Sequence, residues 1–170
     1  LILLQFNLLT IILGMSSMIL AFAYPFMKRI TYWPQLFLGL TFNWGIIMGW
    51  TSIANSISIE PIILYLAAIF WTLGYDTIYG LQDMYDDEII GIKSTSIKFK
   101  NNAKVFVGTC YSLCVLFVLI LCLIMEIDKY LLALSVFFIS TLIYQIKFFK
   151  IDNPKSCLVA FKINNLTGIF

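Results

Sequence analysis

Asp76, Asp83 and Asp87 are spaced by seven and four residues. At about 100° per helical residue this spacing puts the three carboxylates within roughly 40° of one another, on one stripe. They belong to YDTIYGLQDMYDDEIIGIKST, residues 75–95, where five carboxylates and no cation occur between Tyr75 and Glu88. Tyr79 and Gly80 lie along the same stripe, the first with a hydroxyl and the second with room for a ligand. Carboxylates at i and i+4 are hard oxygen ligands. Together with waters and phosphate oxygens they suit Mg²⁺, a cation that seldom takes an all-protein cage and is commonly shared with a substrate diphosphate. A helix that ends in this stretch would carry Asp83, Asp86, Asp87 and Glu88 at its C-terminus. The macrodipole disfavours negative charge there, and no lysine precedes Lys93 to offset it. A plain acidic, solvated helix end accounts for Asp86 and Glu88. It does not account for Asp76, which lies deeper in an apolar stretch, where an ionisable group is costly and usually functional.

Counter-charges lie elsewhere in the chain. YPFMKR places Tyr24 and Lys28 four residues apart, followed by Arg29, and GIKST supplies Lys93 with two hydroxyls on a loop able to fold over the acids. Each is ordinary alone, since basic residues at a membrane boundary serve as topology anchors. Three such features on one face are more informative than any of them singly. The chain has no histidine, so its chemistry must rest on carboxylates, Lys, Arg and Tyr. Cys110, Cys114, Cys122 and Cys157 lack CxxC spacing and read as small buried thiols.

The elements that must position these groups are membrane helices. Of 170 residues 61% are hydrophobic and 12% charged, with a mean hydropathy of +0.95, which excludes an ordinary soluble domain. Spans are expected at about 2–23, 33–53, 61–82, 104–125 and 130–147, with a partial one at 160–170. They form a single membrane domain over 1–170, an all-α bundle of about five complete spans plus the start of a sixth. Pro25 and Pro34 bracket the first loop, Pro61 opens the third span, and Pro154 lies in the last loop. Ten of the eleven basic residues fall on alternate loops and only Lys129 on the other face, so the acid cluster faces the cytoplasm. The net charge of +2 is then a topology signal and gives no footing for nucleic acid. Leu1 begins without an initiator Met, and FKINNLTGIF at 161–170 looks like the entry to a further span. A piece of a longer protein is expected.

YPFMKRITYWPQLFLG, YDTIYGLQDMYDDEIIGIKST and FKINN resemble, in order, the UbiA-type membrane prenyltransferases, most closely the branch that acts on 4-hydroxybenzoate in ubiquinone biosynthesis. The resemblance runs along nearly the whole chain. It implies an all-helical membrane enzyme with two aspartate-rich motifs and a lateral opening for an isoprenoid tail. Asp83 and Asp87 match the DxxxD pair that holds Mg²⁺ on a polyprenyl diphosphate, with Asp76 and Asp86 as further acidic positions. Tyr24 and Lys28 match the YxxxK element, Lys28 on the diphosphate. Arg29 matches the arginine of the aromatic carboxylate, and Lys93 falls in the covering loop. Asp83, Asp87 and Asp76 are the expected catalytic set, with Tyr24, Lys28, Arg29, Tyr79 and Lys93 binding substrate.

The first motif, NDxxDxxxD, does not occur in this sequence, so a missing N-terminal half of the same fold is expected to supply further ligands. The implied reaction joins a polyprenyl group to the ring carbon ortho to the hydroxyl of 4-hydroxybenzoate. A naphthoate, homogentisate or haem acceptor keeps the same chemistry. A cation-conducting protein and a non-catalytic remnant are the alternatives of other classes. For the aromatics Phe42, Trp44, Trp50, Phe70 and Trp71 a lipid-facing or core-packing role is expected rather than cation–π contacts. The Ile, Lys and Asn bias points to a bacterial inner membrane rather than a mitochondrial one.

Overall fold

The computed structural model describes residues 2–126 and 129–169, and the side chains of residues 129–132 are not among those described. Leu1, Phe170 and the Lys129 side chain, which carried part of the sequence reading, therefore lie outside the described residues. Every regular element among the described residues is helical. A 3₁₀ turn at Leu3–Gln5 precedes α1 (Leu8–Ile30), α2 (Pro34–Phe42), α3 (Gly45–Ala54) and α4 (Ile59–Gly80). Two short helices follow, α5 (Met84–Ile90) and α6 (Thr95–Lys98), then α7 (Ala103–Ile124), α8 (Lys129–Phe148), α9 (Pro154–Lys162) and α10 (Asn164–Thr167).

Four segments are long and apolar enough to cross a bilayer: Leu8–Ile30, Pro34–Ala54, Ile59–Gly80 and Lys100–Ile124. The apolar helix Ala133–Phe148 is shorter. The chain is a multi-pass membrane protein. Its core is built around α4, which buries Pro61, Ile63, Tyr65, Ala67, Ile69, Leu73 and Ile78 on several faces, as a helix enclosed by others must. Ile78, Leu81 and Met84 pack with Ala103, Val107 and Tyr111 of α7. Gly39 of α2 lies against the Ile69 backbone on the opposite side, and small residues permit this close approach in the absence of a hydrophobic driving force between helices.

Two boundaries differ from the sequence reading. The first helix starts at Leu8 because Asn7 caps it, its Oδ1 accepting from the Thr10 N–H at 2.9 Å while its Nδ2 donates to the Thr51 carbonyl at 2.7 Å. It then runs through Pro25 to Ile30. Pro25 is therefore inside a helix and not at a loop edge, and Lys28 and Arg29 form the last helical turn. The missing Pro25 N–H costs one internal bond, but the turn beyond it still closes, with the Thr31 N–H donating to the Met27 carbonyl at 2.9 Å. The second span is two helices, α2 and α3, joined at Asn43–Trp44. Asn43 holds the break by donating to the Gly39 carbonyl at 2.9 Å and to Thr72 Oγ1 of α4 at 2.8 Å.

Candidate active site

Residues from five parts of the chain meet at one end of the bundle. The last turns of α1 supply Tyr24 and Lys28, the start of α2 Pro34 and Gln35, and the end of α4 Asp76, Tyr79 and Gly80. Asp83 and Asp87 come from α5, and Ile92, Lys93 and Ser94 from the segment after it. Together they line a cavity of about 270 Å³. Of the residues singled out from sequence, Asp76, Asp83, Asp87, Tyr24, Lys28, Tyr79 and Lys93 line it. Arg29, exposed on the last turn of α1, and Asp86, exposed on α5, do not.

The acids do not sit at the end of a long helix. α4 stops at Gly80, Leu81 and Gln82 turn, and Asp83 occupies the N-cap position of α5, with Asp86 and Asp87 in its first turn. The expected unfavourable dipole is thereby reversed: a helix N-terminus presents positive partial charge and favours carboxylates. The seven-and-four stripe is likewise not one face of a continuous helix, since the turn at Leu81–Gln82 intervenes. It brings Asp76, Asp83 and Asp87 to one cavity all the same. Glu88 also has a cation, Lys100 Nζ at 2.8 Å.

At its other end α5 closes on Gly91, whose φ of +82° is the left-handed conformation that glycine adopts without steric cost. The turn it makes sends residues 92–96 back across the bundle. The Ile92 N–H donates to the Asp87 carbonyl at 2.9 Å, and the Lys93 N–H to the Lys28 carbonyl at 2.8 Å. Lys93 Nζ bonds the Ile30 carbonyl at 3.2 Å and lies 5.7 Å from the centre of the Tyr32 ring. That ammonium thus neutralises the carbonyl end of α1 while its residue forms a wall of the cavity.

Beyond Lys93 the polar residues are buried and interlocked. The Thr95 N–H donates to Gln35 Oε1 at 3.0 Å, Thr95 Oγ1 shares a hydrogen with Thr77 Oγ1 at 2.6 Å, and Ser96 Oγ donates to the Thr77 carbonyl at 2.8 Å. Gly80 serves this seam. A Cβ there would stand 2.5 Å from Ser96 Oγ, so its small size admits the 92–96 segment, and the ligand room expected from sequence is occupied on that side by Ser96.

Burial pushes the Asp87 carboxyl above its ordinary pKa, and Asp83 and Asp86 add to the effect while Lys28 opposes it. The group prefers a proton or a cation. Among the described residues no three His, Cys, Asp or Glu side chains lie close enough together to hold a metal ion by themselves. Asp83 and Asp87, two hard carboxylates on one cavity wall with Lys28 and Lys93 on the same cavity, fit a cation that draws its other ligands from water, phosphate or further chain. Mg²⁺ is such a cation.

A second cavity of about 230 Å³ lies alongside, lined by Phe42, Asn43, Trp71, Thr72, Tyr75, Phe161, Asn164 and Asn165. Tyr79 and Phe161 rings, 4.7 Å apart, stand between the two. Its far wall is fixed by a network that sequence reading passed over. Gln145 of α8 is fully buried, accepts from the Tyr111 hydroxyl, and donates to Asn164 Oδ1 and Thr167 Oγ1, each at 3.1 Å. Trp71 Nε1 donates to the same Asn164 oxygen at 3.1 Å. The available signal was a glutamine inside an apolar run, at both 35 and 145. Of the aromatics singled out from sequence, Trp44 packs edge-on to Tyr65, Trp71 on Tyr75 and Phe138, and Phe70 stacks on Phe117, while Phe42 is exposed. Cys110, Cys114 and Cys157 are buried free thiols, as anticipated, and Cys122 is half-buried.

Comparison with known proteins follows the same residues. The model of the UbiA prenyltransferase family matches residues 1–166. A 4-hydroxybenzoate polyprenyltransferase, mitochondrial, from Aedes aegypti is 42% identical over 171 residues, covering 99% of this chain and 38% of the relative. Its Dictyostelium discoideum namesake is 41% identical over 175 residues, 100% of this chain and 37% of the relative. An Arabidopsis thaliana protein of that name is 52% identical over 106 residues, 62% of this chain and 26% of the relative. The chain thus spans between about a quarter and two fifths of the length of these relatives. No solved structure matches.

Proposed function

The chain belongs to the UbiA prenyltransferase family, and on that premise we propose that it carries part of the active site of a 4-hydroxybenzoate polyprenyltransferase of ubiquinone biosynthesis. The observation that carries the reading is one cavity lined by Asp76, Asp83 and Asp87 together with Lys28 and Lys93. Carboxylates and ammonium groups in one cavity suit a ligand that is both metal-bound and anionic, as an allylic polyprenyl diphosphate on Mg²⁺ is. The relatives' names supply the acceptor.

In this reading Asp83 and Asp87 hold Mg²⁺, with further ligands supplied by chain outside this sequence. When bound, Mg²⁺ stabilises the charge that develops on the departing diphosphate. Lys28 and the Lys93 segment add fixed positive charge at the same place, where preorganised electrostatics contribute most. Tyr24 and Tyr79 bound the pocket and offer hydroxyls to phosphate or acceptor oxygens. As the C–O bond to diphosphate breaks, the ring carbon ortho to the phenolic hydroxyl gives its electron pair to the allylic carbon, and loss of the ring proton restores aromaticity. In this reading Asp76, on the same cavity, accepts the phenolic hydroxyl's hydrogen bond and so makes the ring more nucleophilic. Arg29, exposed beside Lys28, meets the acceptor's carboxylate as it enters. The apolar, aromatic second cavity beside Tyr79 suits the isoprenoid and keeps water from the allylic centre.

The mitochondrial names of relatives from plant, insect, mammal and amoeba favour a mitochondrial membrane over the bacterial one suggested by residue bias. The site then faces the side carrying the basic loops.

The test is prenyl transfer by the full-length protein in membranes, with Mg²⁺ titrated. Asp83→Asn and Asp87→Asn should each lower turnover roughly 100-fold or more, with folding intact. Wild-type turnover in either variant removes the reading.

A further inference from the structure

Gln35 lines the cavity, and motif reasoning does not single it out. It is 6% exposed, follows Pro34 in the first turn of α2, and lines the same wall as Gly80. Its orientation is settled by chemistry. The Thr95 backbone N–H can only donate, so the amide atom 3.0 Å from it must be the oxygen, Oε1. Nε2 therefore faces the other way, over Gly80, where an added Cβ would come within 3.5 Å of it. Nε2 donates no hydrogen bond among the described residues, and it is not sealed from the cavity space. A side chain this deeply buried, held by its oxygen and presenting two N–H donors to a polar cavity, is built to complete its bonds with a ligand, because leaving them unmade is costly.

We propose that Gln35 Nε2 donates a hydrogen bond to an anionic oxygen of the bound ligand, and so helps to set which oxyanion the cavity accepts. An N–H donor cannot ligate a metal, so Gln35 serves the anionic half of the ligand and not the cation at Asp83 and Asp87. The inference rests on the prenyltransferase reading for the identity of the two candidate oxyanions, the diphosphate and the carboxylate or phenolate of the aromatic acid. Both present the same chemistry to the amide.

The experiment uses the full-length protein, wild type, Gln35→Glu and Gln35→Leu. Binding of inorganic diphosphate with Mg²⁺, and of 4-hydroxybenzoate, is measured separately by calorimetry, alongside KM for each substrate. Gln35→Glu keeps the oxygen that accepts from Thr95, removes the donor and adds a negative charge. It should weaken one of the two ligands about ten- to a hundredfold, the scale of a lost hydrogen bond to a charged group, and leave the other within about twofold. The ligand affected identifies the oxyanion. Gln35→Leu, which adds no charge, must weaken the same ligand; if it does not, the Gln35→Glu effect is repulsion and the proposal fails. Unchanged affinities in Gln35→Glu overturn it too, since Gln35 then only pins Thr95. So does an equal loss for both ligands, or a wild type that binds neither. A wild type that binds an oxyanion but transfers no prenyl group sinks the functional reading alone, and the Gln35 assignment is still decided by the binding data.

Discussion

Replacing Gly80 by alanine tests the seam between the helix that carries Asp76 and the segment that carries Lys93. The new Cβ would lie 2.5 Å from Ser96 Oγ, well inside contact distance. Ser96 cannot simply rotate away. It is fully buried, and its hydroxyl donates to the Thr77 carbonyl at 2.8 Å, beside the Thr77–Thr95 pair at 2.6 Å. Overpacking of this kind costs about 1–3 kcal/mol, and a strained or lost buried hydrogen bond about 1 kcal/mol more. Against this stands the helix-propensity gain of alanine over glycine, at most about 1 kcal/mol in a helix interior and less at the last residue, where Gly80 sits. The net effect should be a loss of about 1–3 kcal/mol, with reduced prenyl transfer as Lys93 and Ser94 shift. Thermal unfolding of the full-length protein in detergent measures it. A double-mutant cycle with Ser96→Ala should show coupling of about 1 kcal/mol or more, because shortening Ser96 makes room for the methyl group. A Gly80→Ala protein as stable as wild type, or a cycle without coupling, would refute the packing argument.

Further outcomes follow from other parts of the cavity and its supports. Because burial raises the Asp87 carboxyl pKa, the folded metal-free protein binds more protons than the unfolded chain between the ordinary and the raised value. Its stability then falls as pH rises through that window. Asp87→Asn should be more stable than wild type at neutral pH without metal, and the difference should vanish on acidification; thermal melts over a pH series read this directly, and a difference that grows on acidification contradicts it. Gln145→Leu removes a fully buried amide with three partners, Tyr111, Asn164 and Thr167. It should destabilise the protein by about 1–3 kcal/mol through the orphaned groups, although interhelical hydrogen bonds in membranes average less per bond. A melting temperature equal to wild type would show that these partners find others.

Much of the architecture was readable from residue order. Long apolar runs can only be membrane helices, since lipid offers the backbone no other partner, and the basic residues between them marked one face. The acids stood out because ionisable groups are so few in such a chain. The positions of Asp76, Asp83, Asp87, Tyr24, Lys28, Tyr79 and Lys93 were chosen from type and spacing, and all of them line one cavity. Periodicity assumes an unbroken helix, and nothing in the spacing of 76, 83 and 87 reveals that α4 ends at Gly80 and that Asp83 and Asp87 start a new helix. The break is accompanied by a contact that local spacing cannot show, Ser96 packing against Gly80 from sixteen positions further along the chain.

Hydrophobic and charge patterns are local, and so the sequence by itself determined that this is a multi-pass helical protein with an acidic site near one membrane face. Which groups point inward is decided by contacts across the bundle. Only the tertiary structure tied Lys93 Nζ to the Ile30 carbonyl, left Arg29 and Asp86 off the cavity wall, and turned Gln35 so that its amide N–H groups face the ligand space. These depend on one backbone N–H or one carbonyl arriving from a distant helix, and side-chain type carries no record of that.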